Sequence, residues 1–431
     1  MKNINFKDGY IKLDKIKKTK NRVDYFFSVS DSLKKFINNN NMFIEYDYYI
    51  EDIPNSILVI PFIANILPLI WVVNGILWVE EVDENYYRSL FRIRSAYQDM
   101  YQNCDLKGNI ITARIVKNEY NIVRESALLF SGGLDAMTTS IRISDKNPLL
   151  INIYGWHKDN IIYNEVFESD FKNISEFAIR NNFERTFIQS NFATIVNSEY
   201  FNKIYTKKLN DSWWHGLQHG ISFIGHAIPI AYKFKIKDIY IASSFSIGGK
   251  RYSCSSDPAV DIETKYASGS VVHDGFELKR QDKVALVVKK QKEINSIYPL
   301  RVCSFNDKNC CKCEKCFRTI LGLIAEGIDK EGLKLFGFYI EKDLKVHFEE
   351  IMKNSIQFWG VERELLVHWP NIKKRIFENE DNISEKEFID WFLNYDFLRE
   401  RKKAIFKYRV LNWRKILKRK VLSKKWELKI L

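Results

Sequence analysis

Apolar and polar positions along this chain follow more than one period. Val23 to Ser28 and Met42 to Ile50 are aromatic and β-branched with partial alternation, which predicts strands. Ile57 to Val79 is almost wholly apolar and about long enough for a membrane span, but Pro61, Asn65, Pro68, Asn74 and Gly75 interrupt it. Those breaks predict a strand over 57–61, a short helix over 64–73 and a second strand over 76–80, a buried βαβ-like unit. Residues 85–102 read as an amphipathic helix. Residues 1–122 therefore read as an α/β accessory domain.

A second pattern starts at Ser126. The run Ala127-Leu128-Leu129-Phe130 enters the turn Ser131-Gly132-Gly133, and a helical segment follows from Asp135. Strand candidates recur over 149–154, 184–189 and 239–241, separated by helix-length segments. That alternation predicts an α/β fold, a parallel sheet with helices on both faces. Beyond Cys316 the pattern is helical over 317–327, 344–355, 363–377 and 385–397. The expected division is an accessory domain 1–122, a nucleotide-type domain with a cysteine knuckle 123–325, a helical region 326–398 and a tail 399–431.

Composition narrows the class. Of 431 residues, 46% are hydrophobic and 28% charged, with 18 glycines and 8 prolines, which excludes a low-complexity or collagen-like chain. The formal net charge is +13, yet Arg399 to Leu431 alone carries fourteen basic residues against Glu400 and Glu427. The body is close to neutral, so the chain as a whole is not a basic nucleic-acid binder. In the tail, Ile405, Tyr408, Leu411, Ile416, Val421 and Trp426 interleave with the charges. A basic amphipathic stretch of this kind fits RNA, an anionic membrane surface, an acidic protein partner, or packing on the body with its lysines solvated.

Cysteine usage points to a metal. Cys104 and Cys254 are isolated, whereas Cys303, Cys310, Cys311, Cys313 and Cys316 fall close together. An odd, clustered count is not a disulfide framework. Met1 to Asp8 has no apolar signal segment, and a reducing cytoplasm is the expected compartment. Cys303, Cys310, Cys313 and Cys316 supply four thiolates, enough to close a tetrahedral Zn²⁺ shell of structural type, with Lys308, Lys312, Lys315 and Arg318 offsetting the charge. An iron-sulfur cluster and unligated buried thiols are the other readings. Cys311 is the spare.

The turn Ser131-Gly132-Gly133-Leu134-Asp135 between a strand and a helix has the chemistry of an anion site, because glycines admit close approach and the helix start presents N–H groups. It is neither a Walker A loop nor a dinucleotide fingerprint. The alternative reading is an ordinary strand-to-helix turn with Asp135 as a capping charge. The pattern resembles the PP-loop of the ATP pyrophosphatase superfamily. That resemblance implies ATP and Mg²⁺ as cofactors, Ser131, Gly132, Gly133 and Thr138 around the pyrophosphate portion, Asp135 beside Mg²⁺, and backbone near Tyr154 at the adenine. Ala136 stands where the superfamily usually has serine.

Joined to the cysteine knuckle, the loop makes residues 123–325 similar to the 7-cyano-7-deazaguanine synthase family, whose members turn a deazaguanine carboxylic acid into a nitrile with ATP and ammonia. Larger proteins of similar layout occur in phage-defence and surface-polysaccharide clusters. The resemblance implies a ligase-type enzyme in which a carboxylate or amide oxygen is adenylated and a nitrogen nucleophile displaces AMP. It implies Ser243, Ser244, Asp257 and Asp261 at the substrate and Lys283 on the pyrophosphate leaving group, with ATP and a small-molecule or modified-protein substrate as partners. A weakened nucleotide-binding module in a defence complex and a tRNA or metabolite thiolation enzyme are the alternatives. His215 and His219, spaced i and i+4 with His226 beyond, line a substrate pocket, serve as structural groups, or hold a second metal; the HExxH mechanism is excluded because no glutamate adjoins them. Arg251, His273, Asp274 and Arg280 extend this polar stretch.

Overall fold

Hydrogen-bonded strands account for the alternating segments, and they join into one mostly parallel sheet. Among the described residues its strands are β1 (Tyr10–Lys18), β2 (Arg22–Val29), β3 (Asn41–Tyr46), β4 (Ile76–Asp83), β5 (Asn109–Val116), β6 (Arg124–Leu129), β7 (Leu149–Tyr154), β8 (Arg185–Ser190), β9 (Ile236–Ala242), β10 (Lys265–Tyr266) and β11 (Gly269–Asp274), ordered β10-β11-β9-β6-β7-β8-β3-β2-β1-β4-β5. The computed structural model describes residues 9–155, 160–247, 253–295, 297–303, 308–354, 356–359 and 367–413. The chain divides into two compact units, Met1–Leu278 and Lys279–Leu431, where the sequence suggested boundaries at 122, 325 and 398.

In the first unit β11, β9, β6, β7 and β8 run parallel. The N-terminal strands continue the same sheet, because β3 pairs antiparallel with β8, Ile44 opposite Ser190 and Tyr46 opposite Ile188. Strands β1 and β5 were not expected. β1 exposes lysines on one side and buries Ile11 and Leu13 on the other, and β5 is the exposed sheet edge, so neither carries a long apolar signal.

The expected strand over 57–61 is not formed. That stretch is helical, a turn at Asn55–Leu58 followed by α1 (Ile60–Val73). Pro61 sits in the first turn, where its missing N–H removes no helical bond, and Asn74 ends the helix in the left-handed conformation at φ 56°. Every residue from Ile60 to Val72 is buried, and a helix apolar on all sides is the kind that lies inside a core. No helix among the described residues is long and apolar enough to cross a membrane. The remaining helices of this unit include α2 (Glu84–Met100), α3 (Leu134–Arg142), α4 (Asn160–Arg180), α5 (Ser198–Leu209) and α6 (His219–Lys233).

The second unit is helical: α7 (Arg280–Ile294), α8 (Glu314–Ala325), α9 (Leu344–Asn354), α10 (Trp369–Glu378), α11 (Lys386–Asn394) and α12 (Phe397–Leu411). Phe317 of α8 is its aromatic centre, with ring centroids of Phe348, Phe358 and Trp369 at 4.4, 5.2 and 5.3 Å. Phe406, Val410 and Leu411 on α12 are exposed among basic residues. Ile416, Val421 and Trp426 lie outside the described residues, as does Arg251.

Asn65 is fully buried in α1, donating to Pro61 O (2.8 Å) and accepting from Gln218 Nε2 (3.1 Å) and Ser222 Oγ (2.8 Å). Asn65→Ala removes the acceptor of Ser222 Oγ, leaves Gln218 Nε2 only the Phe192 carbonyl at 3.4 Å, and is expected to lower unfolding free energy by about 2–3 kcal/mol. Urea denaturation reads it, and a change below about 0.5 kcal/mol contradicts the role given to this network.

Candidate functional site

The first unit has a topological switch point. β6 pairs with β7 on one side and β9 on the other; the chain leaves β6 for β7 and reaches β9 only after β8. In open parallel sheets the crevice beyond the carboxyl ends of two such strands is the usual ligand position. After β6, Phe130 N–H still donates to Ile151 O (2.8 Å), and the turn then begins. Gly132 has φ +70°, a conformation that a side chain disfavours, and Gly133 is the N-cap residue of α3. Gly133 N–H donates to Ser131 Oγ (3.4 Å). Asp135 lies in the first turn of α3, whose leading N–H groups have no partner within the helix.

Beyond that turn the α3 hydroxyls face elsewhere. Thr138 Oγ1 donates to Leu134 O (2.9 Å) and is buried, Thr139 Oγ1 donates to Asp274 Oδ2 (2.7 Å), and Ser140 Oγ donates to Met137 O (2.8 Å). The Thr138 hydroxyl is thus engaged inside the helix, and that of Thr139 at the end of β11. Arg142 also bonds Asp274, through Nε at 3.1 Å, so α3 is tied to the end of β11.

Tyr154 ends β7, buried with its ring against Phe167 at 4.6 Å. Gly155 follows with φ +125°, and a Cβ there would strike Ser190 O, so only glycine passes. Ser243 follows β9 and is buried, its N–H on Asp274 O (2.8 Å) and its hydroxyl on Phe245 O (2.9 Å); Ser244 is exposed. Asp257 caps a short helical turn by accepting from Ala259 N–H (2.9 Å). Asp261 is buried against His273 Nδ1 (2.8 Å) and Ser256 Oγ (2.8 Å); burial raises its pKa, outweighing those partners. Asp257 and Asp261 are therefore held in structural contacts, and Ser131, Gly132, Gly133, Asp135, Tyr154, Ser243 and Ser244 stand at the carboxyl ends of parallel strands.

No protein-family model, curated protein or solved structure matches this chain.

The two histidines do not share one regular α-helical face. His215 lies in a π-helical turn, Trp213–Gln218, and His219 opens α6. His215 Nδ1 bonds both oxygens of Asp211 (3.1 and 3.0 Å), and His219 Nε2 lies 3.6 Å from Cys254 Sγ. His215 is pushed up to about 10 by its bond to Asp211 and then by Cys254. Burial raises the Cys254 thiol, but hydrogen bonds from His215 and His219 outweigh it and bring it down to about 7. His226 turns into the core, Nδ1 on Ser222 O at 2.7 Å, and burial lowers it to about 4. Cys254, isolated in sequence, is the residue that sequence reasoning missed. Its signal is the pair of glycines that follow the histidines: a Cβ on Gly220 would strike the Ser255 carbonyl, and one on Gly216 would crowd Asp211.

In the second unit Cys303, Cys310, Cys313 and Cys316 bring their sulfurs within 4.8 Å of one another, a set that could hold a metal such as zinc. Cys313–Cys316 and Cys310–Cys316 are 3.5 and 3.9 Å apart. Asn309 fixes the knuckle: Oδ1 accepts from Val302 and Cys303 N–H, and Nδ2 donates to Leu300 and Gly337 carbonyls. Lys312 N–H points at Cys310 Sγ (3.4 Å), and Cys313 is the N-cap residue of α8, so helix-start N–H groups lie beside the thiols. Cys311 points away, Sγ toward Asn309 O, its own carbonyl accepting from His347. Lys283 is buried on α7 of the same unit.

Metal analysis of purified protein is expected to give one zinc per chain. Cys313→Ser should lose the metal and most of the soluble yield, and Cys311→Ser should keep both. Metal-free, stable wild-type protein, or equal damage from the two substitutions, contradicts this ligand set.

Proposed function

We propose that this chain is a PP-loop enzyme of the 7-cyano-7-deazaguanine synthase type. The observation that carries the reading is the Ser131-Gly132-Gly133 turn, with Gly132 left-handed and Asp135 in the first turn of α3, at the switch point between β6 and β9. Mg²⁺-ATP would lie with its phosphates on the turn and its adenine near Tyr154 and Gly155. The α3 N–H groups and Ser131 hold the anion, Asp135 serves as the carboxylate for Mg²⁺, and the substrate oxygen attacks the α-phosphorus. Ser243 and Ser244 are assigned to the substrate. The four cysteines hold zinc with no position left open, so its work is folding. The substrate class is a 7-deazaguanine carboxylic acid or amide.

A second reading, nucleotide binding with little turnover, is favoured by one observation: Ala136 removes a hydroxyl, and the hydroxyls of Thr138 and Thr139 are bonded elsewhere. AMP release from ATP separates the two. Stimulation by a deazaguanine acid is expected, with Asp135→Asn and Gly133→Val each reducing it by about 100-fold or more in folded protein. Tight ATP binding without AMP supports the second reading. Undiminished AMP formation in Asp135→Asn would sink the PP-loop assignment.

A further inference from the structure

We infer that Cys254 is a nucleophilic thiol that accepts an acyl group, with His219 as its base and His215, held by Asp211, as the neighbouring imidazole. The tautomers follow from the partners. His219 Nδ1 lies 3.0 Å from the Trp214 carbonyl, which can only accept, so Nδ1 carries the proton and Nε2 presents a lone pair to Cys254 Sγ at 3.6 Å. His215 Nδ1 is likewise committed to the Asp211 carboxylate, which also takes Ser253 Oγ at 2.7 Å. A thiol beside an imidazole lone pair, with a second, carboxylate-held imidazole whose ring centroid lies 5.8 Å from the first, is the arrangement that activates a cysteine for attack on carbon.

The contact is built rather than incidental. Ser255 N–H bonds the His215 carbonyl (2.8 Å), and Gly220 N–H bonds Ser255 Oγ (2.6 Å), which pins the segment bearing Cys254 to the start of α6. Gly220 has no Cβ, and any other residue there would push that segment off. Cys254 is 3% exposed, but the side chain of His215 is 43% exposed, and a cleft of about 690 Å³ is lined by Ser253, Met100 and Ala259 beside it. A second metal is the competing use of such residues. Among the described residues, however, only the four cysteines of the second unit converge closely enough to share an ion.

The acyl donor is the adenylate that the proposed ATP chemistry makes, so the substrate assignment rests on that reading. The thiol proton passes to His219 Nε2. The thiolate attacks the acyl carbon, the C–S bond forms, and the C–O bond to phosphorus breaks, AMP leaving with the electron pair. A nitrogen nucleophile then forms a C–N bond as the C–S pair returns to sulfur, and its surplus proton passes to solvent. A thioester of this kind keeps the activated carbon on the protein after AMP departs.

The test uses p-nitrophenyl acetate as the acyl donor, with no nucleotide present, so the outcome does not depend on the ATP reading. Wild-type protein should release about one equivalent of p-nitrophenolate in a burst, and peptide mass spectrometry should place the acetyl group on Cys254. The burst rate should rise with pH through about 7 and level off as the thiolate forms. The phenols of Tyr97 and Tyr101 also face the thiol, and burial keeps them neutral across that range, while the buried Asp261 carboxyl lies near His219. His219→Gln should slow the burst about 100-fold while retaining the wild-type melting profile. Acetylation elsewhere with Cys254 unmodified overturns the proposal, as does a second zinc that Cys254→Ala removes. Full rates of AMP-linked product formation in Cys254→Ala would overturn the thioester step while leaving the PP-loop reading intact.

Discussion

Everything in the first unit hangs from the central parallel strand β6. Its neighbours β7 and β9 lie on opposite sides, so the chain must leave it in one direction and come back on the other. That constraint sets the turns after β6 and β9 at the same end of neighbouring strands, and so delivers Ser131 and Ser243 from separate strands to the position where such sheets usually take a ligand. Tyr154 and Gly155 arrive on the next strand along. The turn after β6 then needs glycine, because the backbone passes through positive φ at Gly132 before the α3 N–H groups come free.

The elements legible in the sequence were those whose own residues declare them. β2, β7 and β8 are short runs rich in apolar and β-branched residues, and the glycine turn and the cysteine spacing are local patterns. The helix expected over 64–73 lies inside α1, but 57–61 reads as a strand and is helical, because a run buried on all sides carries no period; proline marks a break in a strand and the start of a helix equally well. β1 and β5 were missed because edge and half-exposed strands carry lysine and arginine on their open side. The joining of residues 10–116 to the parallel strands rests on β3 meeting β8, a pairing across more than a hundred residues that no local pattern encodes.

Side-chain roles were legible in chemistry but not in direction. Thr138 is a hydroxyl in the right place along the chain, yet its bond to the Leu134 carbonyl turns it away from the turn. Asp257 and Asp261 are acids near the sheet's carboxyl edge, yet one caps a helical turn and the other is matched to His273. The histidines were noticed for their spacing, whereas their partner Cys254 lies 35 residues from His219. Only the glycines beside them hint that another segment comes close.

The account stands on a substrate oxygen attacking the α-phosphorus of ATP. A deazaguanine carboxylic acid labelled with heavy oxygen in its carboxylate tests that step directly. Mass analysis of the nucleotide product should find the label in AMP, one labelled oxygen per molecule formed. Unlabelled AMP, or ADP with the label in inorganic phosphate, would contradict it.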